Sequence, residues 1–276
     1  MITGATRVAA VIGHPVRHSL SPALHNAAFQ QLGVDWVYTA FEVMPGGAQA
    51  AIDAMRVLGL GGLSVTMPHK EMVADAVDSL DPAAAALRSV NTVVPQADGL
   101  LMGYSTDGAG FVASLAAAGV QVHGRTVCVL GAGAAARAIV DALARAGAAR
   151  IAVLNRTFSS AQQAVELAGD VGVLGVASDV REAQIVVNAT SIGMGSQDLP
   201  FDVAALHAGQ VVADIVYHPR DTALLQAARA AGAMAVDGLG MLVHQAALQQ
   251  QLWHGLVPDV TVMAAAAERE LAARRQ

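Results

Sequence analysis

The chain has 276 residues, enough for one large domain or two ordinary ones with a sizeable core and no covalent staples. Its net charge of -6 works against nucleic acid or an anionic membrane as partner, and although 54% of the residues are hydrophobic, no run reaches the ~18 apolar residues that a membrane span requires. The single cysteine, Cys128, lies in an apolar run and has no partner for an internal disulfide, and the amino terminus lacks a leader pattern, so a reducing, cytoplasmic setting is expected.

Short apolar runs closed by glycine or turn residues alternate with segments of helical period, the pattern of βα units feeding a parallel sheet. Residues 8–13 read as the first strand. Residues 21–33 read as a helix with Ser21 as N-cap, Pro22 in the first turn and Gly33 as the stop. A strand at 36–43, a helix at 47–59, a strand at 61–67 and a helix at 69–80 follow, then a hairpin over 89–106 that turns at Ala97 to Gly99. A second series runs strand 125–131, helix 134–147, strand 149–155, helix 159–169, strands 184–190 and 210–216, and helix 221–232. Residues 241–276 are helical with no strand left to pair, and are expected to pack back toward the first domain.

The second series opens with VCVLGAGAAAR, in which Gly131 and Gly133 follow a strand and precede a helix. In a dinucleotide fingerprint the first glycine permits the tight turn and the second lets backbone amides reach a pyrophosphate. The third small residue, here Ala136, lets helix and strand pack closely. The next strand ends in VLNRT, without the carboxylate that an NAD site offers to the ribose hydroxyls; Asn155, Arg156 and Thr157 supply an amide, a guanidinium and a hydroxyl, a set suited to a 2′-phosphate. NADP is therefore favoured over NAD.

Of sixteen basic residues fifteen are arginine, which leaves Lys70 in SVTMPHK as the only lysine. A site that keeps lysine against that bias is a candidate for a compact amine whose proton can move. His14 and His18 stand four apart, but Pro15 lies between them and no acidic partner follows, so no metal site is expected.

HSLSP, SVTMPHK, RSVNT, STDG, GAGAAAR, NRT, NATSIGM and DGLGMLVHQAA occur together in one order, and in this the chain resembles the shikimate dehydrogenase family over nearly its whole length. The resemblance implies an α/β fold of two domains: an N-terminal α/β substrate-binding catalytic domain over 1–107, completed by helices in 241–276, and a Rossmann-type doubly wound NADP-binding domain over 108–240. It implies NADP-dependent, reversible reduction of 3-dehydroshikimate to shikimate by a monomer or homodimer, in a cleft between the domains. Carried over by motif, Lys70 and Asp107 match the catalytic pair. Ser19 and Ser21, with Tyr217 nearby, match the group that holds the substrate carboxylate, and Thr66, Asn91 and Gln245 match the group that binds the ring hydroxyls. Gly131, Ala132, Gly133, Ala134 and Ala135 match the phosphate turn; Asn155, Arg156 and Thr157 match the 2′-phosphate site; Ile215 and Gly238 fall where the family approaches the nicotinamide. Three positions depart from the family pattern: Ser105 stands where asparagine usually precedes TD, Ser160 where a second basic residue commonly follows NRT, and Ala134 where glycine is usual. A quinate or aminoshikimate dehydrogenase would carry the same residues, and a metabolite sensor that binds nucleotide without turnover would have no need of the Lys70 and Asp107 pair.

Overall fold

The computed structural model describes residues 1–274, which divide into two compact units, residues 1–106 with 243–274, and residues 107–242. The first unit contains, in chain order, β1 (Arg7–Gly13), α1 (Ser21–Leu32), β2 (Trp36–Glu42), α2 (Ala48–Leu58), β3 (Gly62–Val65), α3 (Lys70–Ala76), β4 (Ser79–Leu80), α4 (Pro82–Leu87), β5 (Thr92–Pro95) and β6 (Leu101–Tyr104). Its sheet order is β2-β1-β3-β5-β6-β4, with β1 parallel to both β2 and β3, and β5 antiparallel to its neighbours. The parallel half follows from the crossovers through α1 and α2, and the antiparallel half from the expected hairpin.

β1 is buried on both faces, and its alternation shows how the core is divided. Ala10 and Ile12 pack with Ile52 and Met55 of α2, while Ala9 and Val11 pack with Phe29 of α1 and with Tyr38. Arg7 pairs in register with Trp36 and lays its guanidinium over that ring at 4.7 Å.

The second unit contains α5 (Asp107–Ala117), β7 (Thr126–Leu130), α6 (Ala134–Arg145), β8 (Arg150–Leu154), α7 (Phe158–Glu166), β9 (Gly172–Leu174), α8 (Asp179–Glu182), β10 (Ile185–Asn188), β11 (Val211–Asp214), α9 (Ala223–Ala230) and β12 (Met234–Val236). All neighbours are parallel in the order β12-β11-β10-β7-β8-β9, which is the doubly wound 3-2-1-4-5-6 arrangement read from its other edge. Val127, Val129, Ile151 and Val187 face one layer of the core; Cys128, Leu130, Val186 and Val212 face the other.

α10 (Gly238–His254) begins in the second unit and ends in the first, and α11 (Val260–Ala273) packs along α1. Residues 275–276 of the stretch expected to be helical lie outside the described residues. No helix among the described residues is long and apolar enough to cross a membrane.

The expected helix over 69–80 stops at Ala76, where Val77 turns extended. The Asp78 carboxylate accepts from Leu101 N and Arg56 Nη2, both at 2.7 Å, and so draws the chain alongside β6 as β4. Ser21 is the first helical residue rather than the N-cap, which is Leu20. Gly33 does close the helix, in the left-handed region at φ 68°.

Trp253 of α10 lies directly over Gly62, where any Cβ would run into the indole, and its Nε1 donates to Val93 O at 3.2 Å. Gly62→Ala is expected to cost about 1–3 kcal/mol through overpacking. Urea unfolding should show this as a lower midpoint with the slope unchanged.

Candidate functional site

In the first unit the loop after β1 is held from α11, because Arg274 donates to the carbonyls of His18 at 2.6 Å and Ser19 at 3.2 Å. Ser19 Oγ accepts the backbone N–H of Ser21 at 3.2 Å, so the hydroxyl that receives a first-turn amide belongs to Ser19 and not to Ser21. Thr66 follows β3, its carbonyl accepts from His69 N at 3.0 Å, and Lys70 then opens α3. His69 is buried with Nε2 at 2.7 Å from Val43 O, the packed role that its apolar surroundings suggest.

Asn91 precedes β5 and joins several segments. Its Oδ1 accepts from Thr106 N and Thr92 Oγ1, each at 2.8 Å, and its Nδ2 donates to Thr106 Oγ1 at 2.9 Å and more weakly toward Gln245 Oε1 at 3.5 Å. Of the residues matched to the ring hydroxyls, Asn91 and Gln245 are thus brought side by side. Asp107 follows Thr106 directly, is buried, and starts α5 in the second unit. Tyr217 lies after β11 in that unit and is partly buried.

In the second unit the order reverses between β7 and β10, and ligands of doubly wound sheets bind outside the carboxyl ends of the strands at such a point. Gly131 follows β7 with φ 110°, and a Cβ there would meet Ala189 O at 2.8 Å, so conformation and close approach both demand glycine. Gly133 is the N-cap of the twelve-residue α6, carries no side-chain cap and would hold a Cβ in open space. Ala136 is fully buried. A cavity of about 1110 Å³ extends from this turn, lined among others by Gly131, Asn155, Arg156, Thr157, Arg181 and Thr190. Asn155 Nδ2 donates to Thr157 O at 3.0 Å and shapes the rim. Ile215 and Gly238 also meet, because a Cβ on Gly238 would collide with the carbonyl of Ile215.

Two features of this unit escape a reading by motif. Arg181 lines the same cavity as Arg156 from α8, an element too short to show a period. Asp214, at the end of β11, is buried and accepts from Thr222 Oγ1 at 2.7 Å, Asn188 Nδ2 at 2.9 Å and Val216 N at 3.1 Å. Asn188 in turn accepts from Thr190 Oγ1 at 2.7 Å and donates to Ile192 O at 3.1 Å. One carboxylate therefore fixes both loops that leave the sheet here, including the one that carries Ile215.

Burial raises the Asp214 carboxyl above its ordinary range, against the lowering effect of its three donors. Asp214→Ala leaves those buried donors without an acceptor and should cost about 1–3 kcal/mol, read as a fall in Tm. With the folded pKa above the unfolded one, the folded state holds the extra proton between them, so this group's contribution falls as pH rises through the folded pKa. Relative to wild type, Asp214→Asn should therefore gain stability as pH rises above about 4, the unfolded value.

Comparison with known proteins covers both units. A family model described as the shikimate dehydrogenase substrate binding domain matches residues 11–93, one described as shikimate / quinate 5-dehydrogenase matches 114–223, and one described as the shikimate 5'-dehydrogenase C-terminal domain matches 238–268. The shikimate dehydrogenase (NADP(+)) of Rubrobacter xylanophilus is 44% identical over 271 residues, which is 95% of each chain. A solved shikimate dehydrogenase in complex with NADP+ superposes with a TM-score of 0.93 at 35% identity over 98% of this chain and 97% of its own. The Thermus thermophilus enzyme, solved with NADP(H) and shikimate, gives 0.88 at 38% identity over 96% and 99%. Agreement in sequence and fold along nearly the full length makes this chain a member of the shikimate dehydrogenase family.

Proposed function

We propose that this protein is an NADP-dependent shikimate dehydrogenase that reversibly reduces 3-dehydroshikimate to shikimate in the cytoplasm. The observation that carries the reading is the cavity at the switch point, whose rim has Asn155, Arg156 and Thr157 and no carboxylate at the end of β8. The residues fit the cofactor: Gly131 allows the turn, and the uncapped amides of Ala134 and Ala135 at the start of α6 suit a pyrophosphate. Gly131 through Ala135 take the pyrophosphate, the Asn155–Thr157 set takes the 2′-phosphate, and Ile215 with Gly238 shapes the nicotinamide end. Residues 1–107 with 241–276 serve the substrate and 108–240 the cofactor. The cytoplasmic part of the reading rests on Cys128, a buried thiol in a sequence that has no second cysteine for an internal disulfide.

The cofactor, when bound, supplies hydride to the substrate carbonyl carbon. The chain's own task is then the oxygen, which becomes an alkoxide and must gain a proton. The Lys70 ammonium stabilises that charge and donates; in the reverse direction the neutral amine takes the proton back. Asp107 orients the amine and accepts from a neighbouring substrate hydroxyl. Ser19, Ser21 and Tyr217 hold the carboxylate, and Thr66, Asn91 and Gln245 hold the ring hydroxyls.

Shikimate-dependent formation of NADPH by the purified protein is the primary test. Binding of both ligands without turnover would replace the enzyme with a sensor, and faster use of quinate at equal concentration would move it to the sister activity. Arg156→Ala should weaken NADP by about ten- to a hundredfold and leave NAD nearly unchanged, as expected for one charge-assisted phosphate contact. Equal losses with both cofactors would remove the 2′-phosphate assignment. Lys70→Arg keeps the charge but not the mobile proton, so kcat should fall by roughly 10²- to 10⁴-fold with NADP affinity unchanged.

A further inference from the structure

Gly13 ends β1, and nothing in its own backbone asks for glycine. Its φ lies outside the left-handed region, so any residue could adopt its conformation. It is held in the sheet from both sides. On one side it pairs in register with Glu42, and its carbonyl accepts from Val43 N at 3.1 Å. On the other, Thr66 N donates to Ile12 O and His14 N to Met67 O, each at 2.9 Å. A glycine inside a strand gives up packing and chain entropy, and often marks a close approach. Here the approach is that of Thr66: a Cβ on Gly13 would run into the Thr66 Cγ2 methyl, with Met67 O at 3.3 Å and Val16 Cβ at 3.4 Å as its next neighbours.

Thr66 is therefore seated by its methyl. One torsion turns the side chain, and methyl and hydroxyl hang from the same carbon, so the well that lays the methyl over Gly13 also fixes the direction of the hydroxyl. The backbone resists giving way, since Thr66 N is tied to Ile12 and Thr66 O accepts from His69 N at 3.0 Å. Thr66 is only partly buried, and no hydrogen bond among the described residues takes its hydroxyl. A hydroxyl aimed by packing in this way keeps its proton and both lone pairs for a ligand.

We propose that Gly13 is a positioning residue for the ring-hydroxyl subsite: the space left by its missing side chain seats the Thr66 methyl, and that seat aims the Thr66 hydroxyl at the substrate. The inference rests on the reading of Thr66 as a group that binds a ring hydroxyl. Chirality makes the coupling strict. Of the three staggered wells, the only one that turns hydrogen toward a Cβ at position 13 moves the methyl into the place of the hydroxyl. The substrate would then meet a methyl where it needs a hydrogen bond.

Gly13→Ala is expected to raise KM for shikimate by about 5- to 50-fold, the weight of one hydrogen bond lost with its partner left unpaired, while KM for NADP holds. Adding Thr66→Ser removes the methyl and keeps the hydroxyl. The double variant should recover most of the lost Tm and bring KM to within about threefold of wild type, the remaining cost of a hydroxyl with more than one open well. Thr66→Val keeps a methyl in the seat but has no hydroxyl, so it should raise KM by itself, and Gly13→Ala should then lower Tm without adding to KM. A glycine needed only for packing would lower Tm without this pattern in KM. Melting curves establish which variants are folded. If Gly13→Ala alone is not, Thr66→Ser with and without it decides, because the alanine must not raise KM once the methyl is gone. An unchanged KM in folded Gly13→Ala, or a rise that persists on the Thr66→Val or Thr66→Ser background, overturns the positioning role and leaves the enzyme reading intact. A wild-type KM in Thr66→Val overturns the assignment of Thr66 and the inference with it. A wild type that oxidises no shikimate with NADP overturns the enzyme reading as well.

Discussion

Asn91 is the residue through which the first unit is tied together. Its N–H donates to Tyr104 O at 3.0 Å, its carbonyl accepts from Val65 N at 2.8 Å and from Gln249 Nε2, and its side chain grips Thr106. Three of these four partners stand near a residue with a role in the proposed chemistry: Val65 precedes Thr66, Thr106 precedes Asp107, and Gln249 is one helical turn beyond Gln245. A displacement of Asn91 would move all three. A buried amide serves here better than an apolar residue of the same size, because its donors and acceptors have fixed directions and penalise any other arrangement of their partners.

The second unit reaches the same rigidity by other means. Its sheet is covered on both faces and wholly parallel, so the strand ends are fixed by packing and the loops are left to be organised locally. Gly131 brings the turn after β7 against Ala189, and Asp214 gathers the loops after β10 and β11 onto one carboxylate. That carboxylate is costly to bury, which its raised pKa records, and it is retained with three donors around it. Three donors spanning β10, β11 and the start of α9 give the loops one arrangement.

What the sequence disclosed depended on how local the cause was. Runs such as TVCVL, IVVN and VVAD announce buried strands within four or five residues, and the glycine turn is legible because its reason lies in its own φ. β9 and β12 are three residues long and β4 only two, too few to show a period. The early end of α3 is caused by Arg56 and Leu101, each more than twenty residues from Asp78, so helical propensity carried the expected helix past its true end. The site divides in the same way. Lys70, Asp107 and the serines stood out by rarity or motif. The hydrogen bonds that join Tyr38 to Ser64 and Ser64 to Gln249 span 26 and 185 residues, and although Ser64 opens the SVTMPHK run, nothing in that run announces either partner.

The two anions proposed as ligands are met by opposite strategies, and the difference follows from what each donor can be made to do. At the cavity rim Arg156 is exposed and offers several N–H groups from a group that stays charged, so its attraction needs little help from its neighbours. A serine hydroxyl has one proton and a free rotor, and whether it helps an anion depends on where that proton already points. For Ser19 part of this is settled, because its oxygen already accepts the Ser21 amide at 3.2 Å, which leaves its proton for a ligand. The strength of a neutral clamp, as proposed here, depends on the hydrogen bonds its hydroxyls already make, whereas a guanidinium in the same place would hold the carboxylate with an affinity set by its charge.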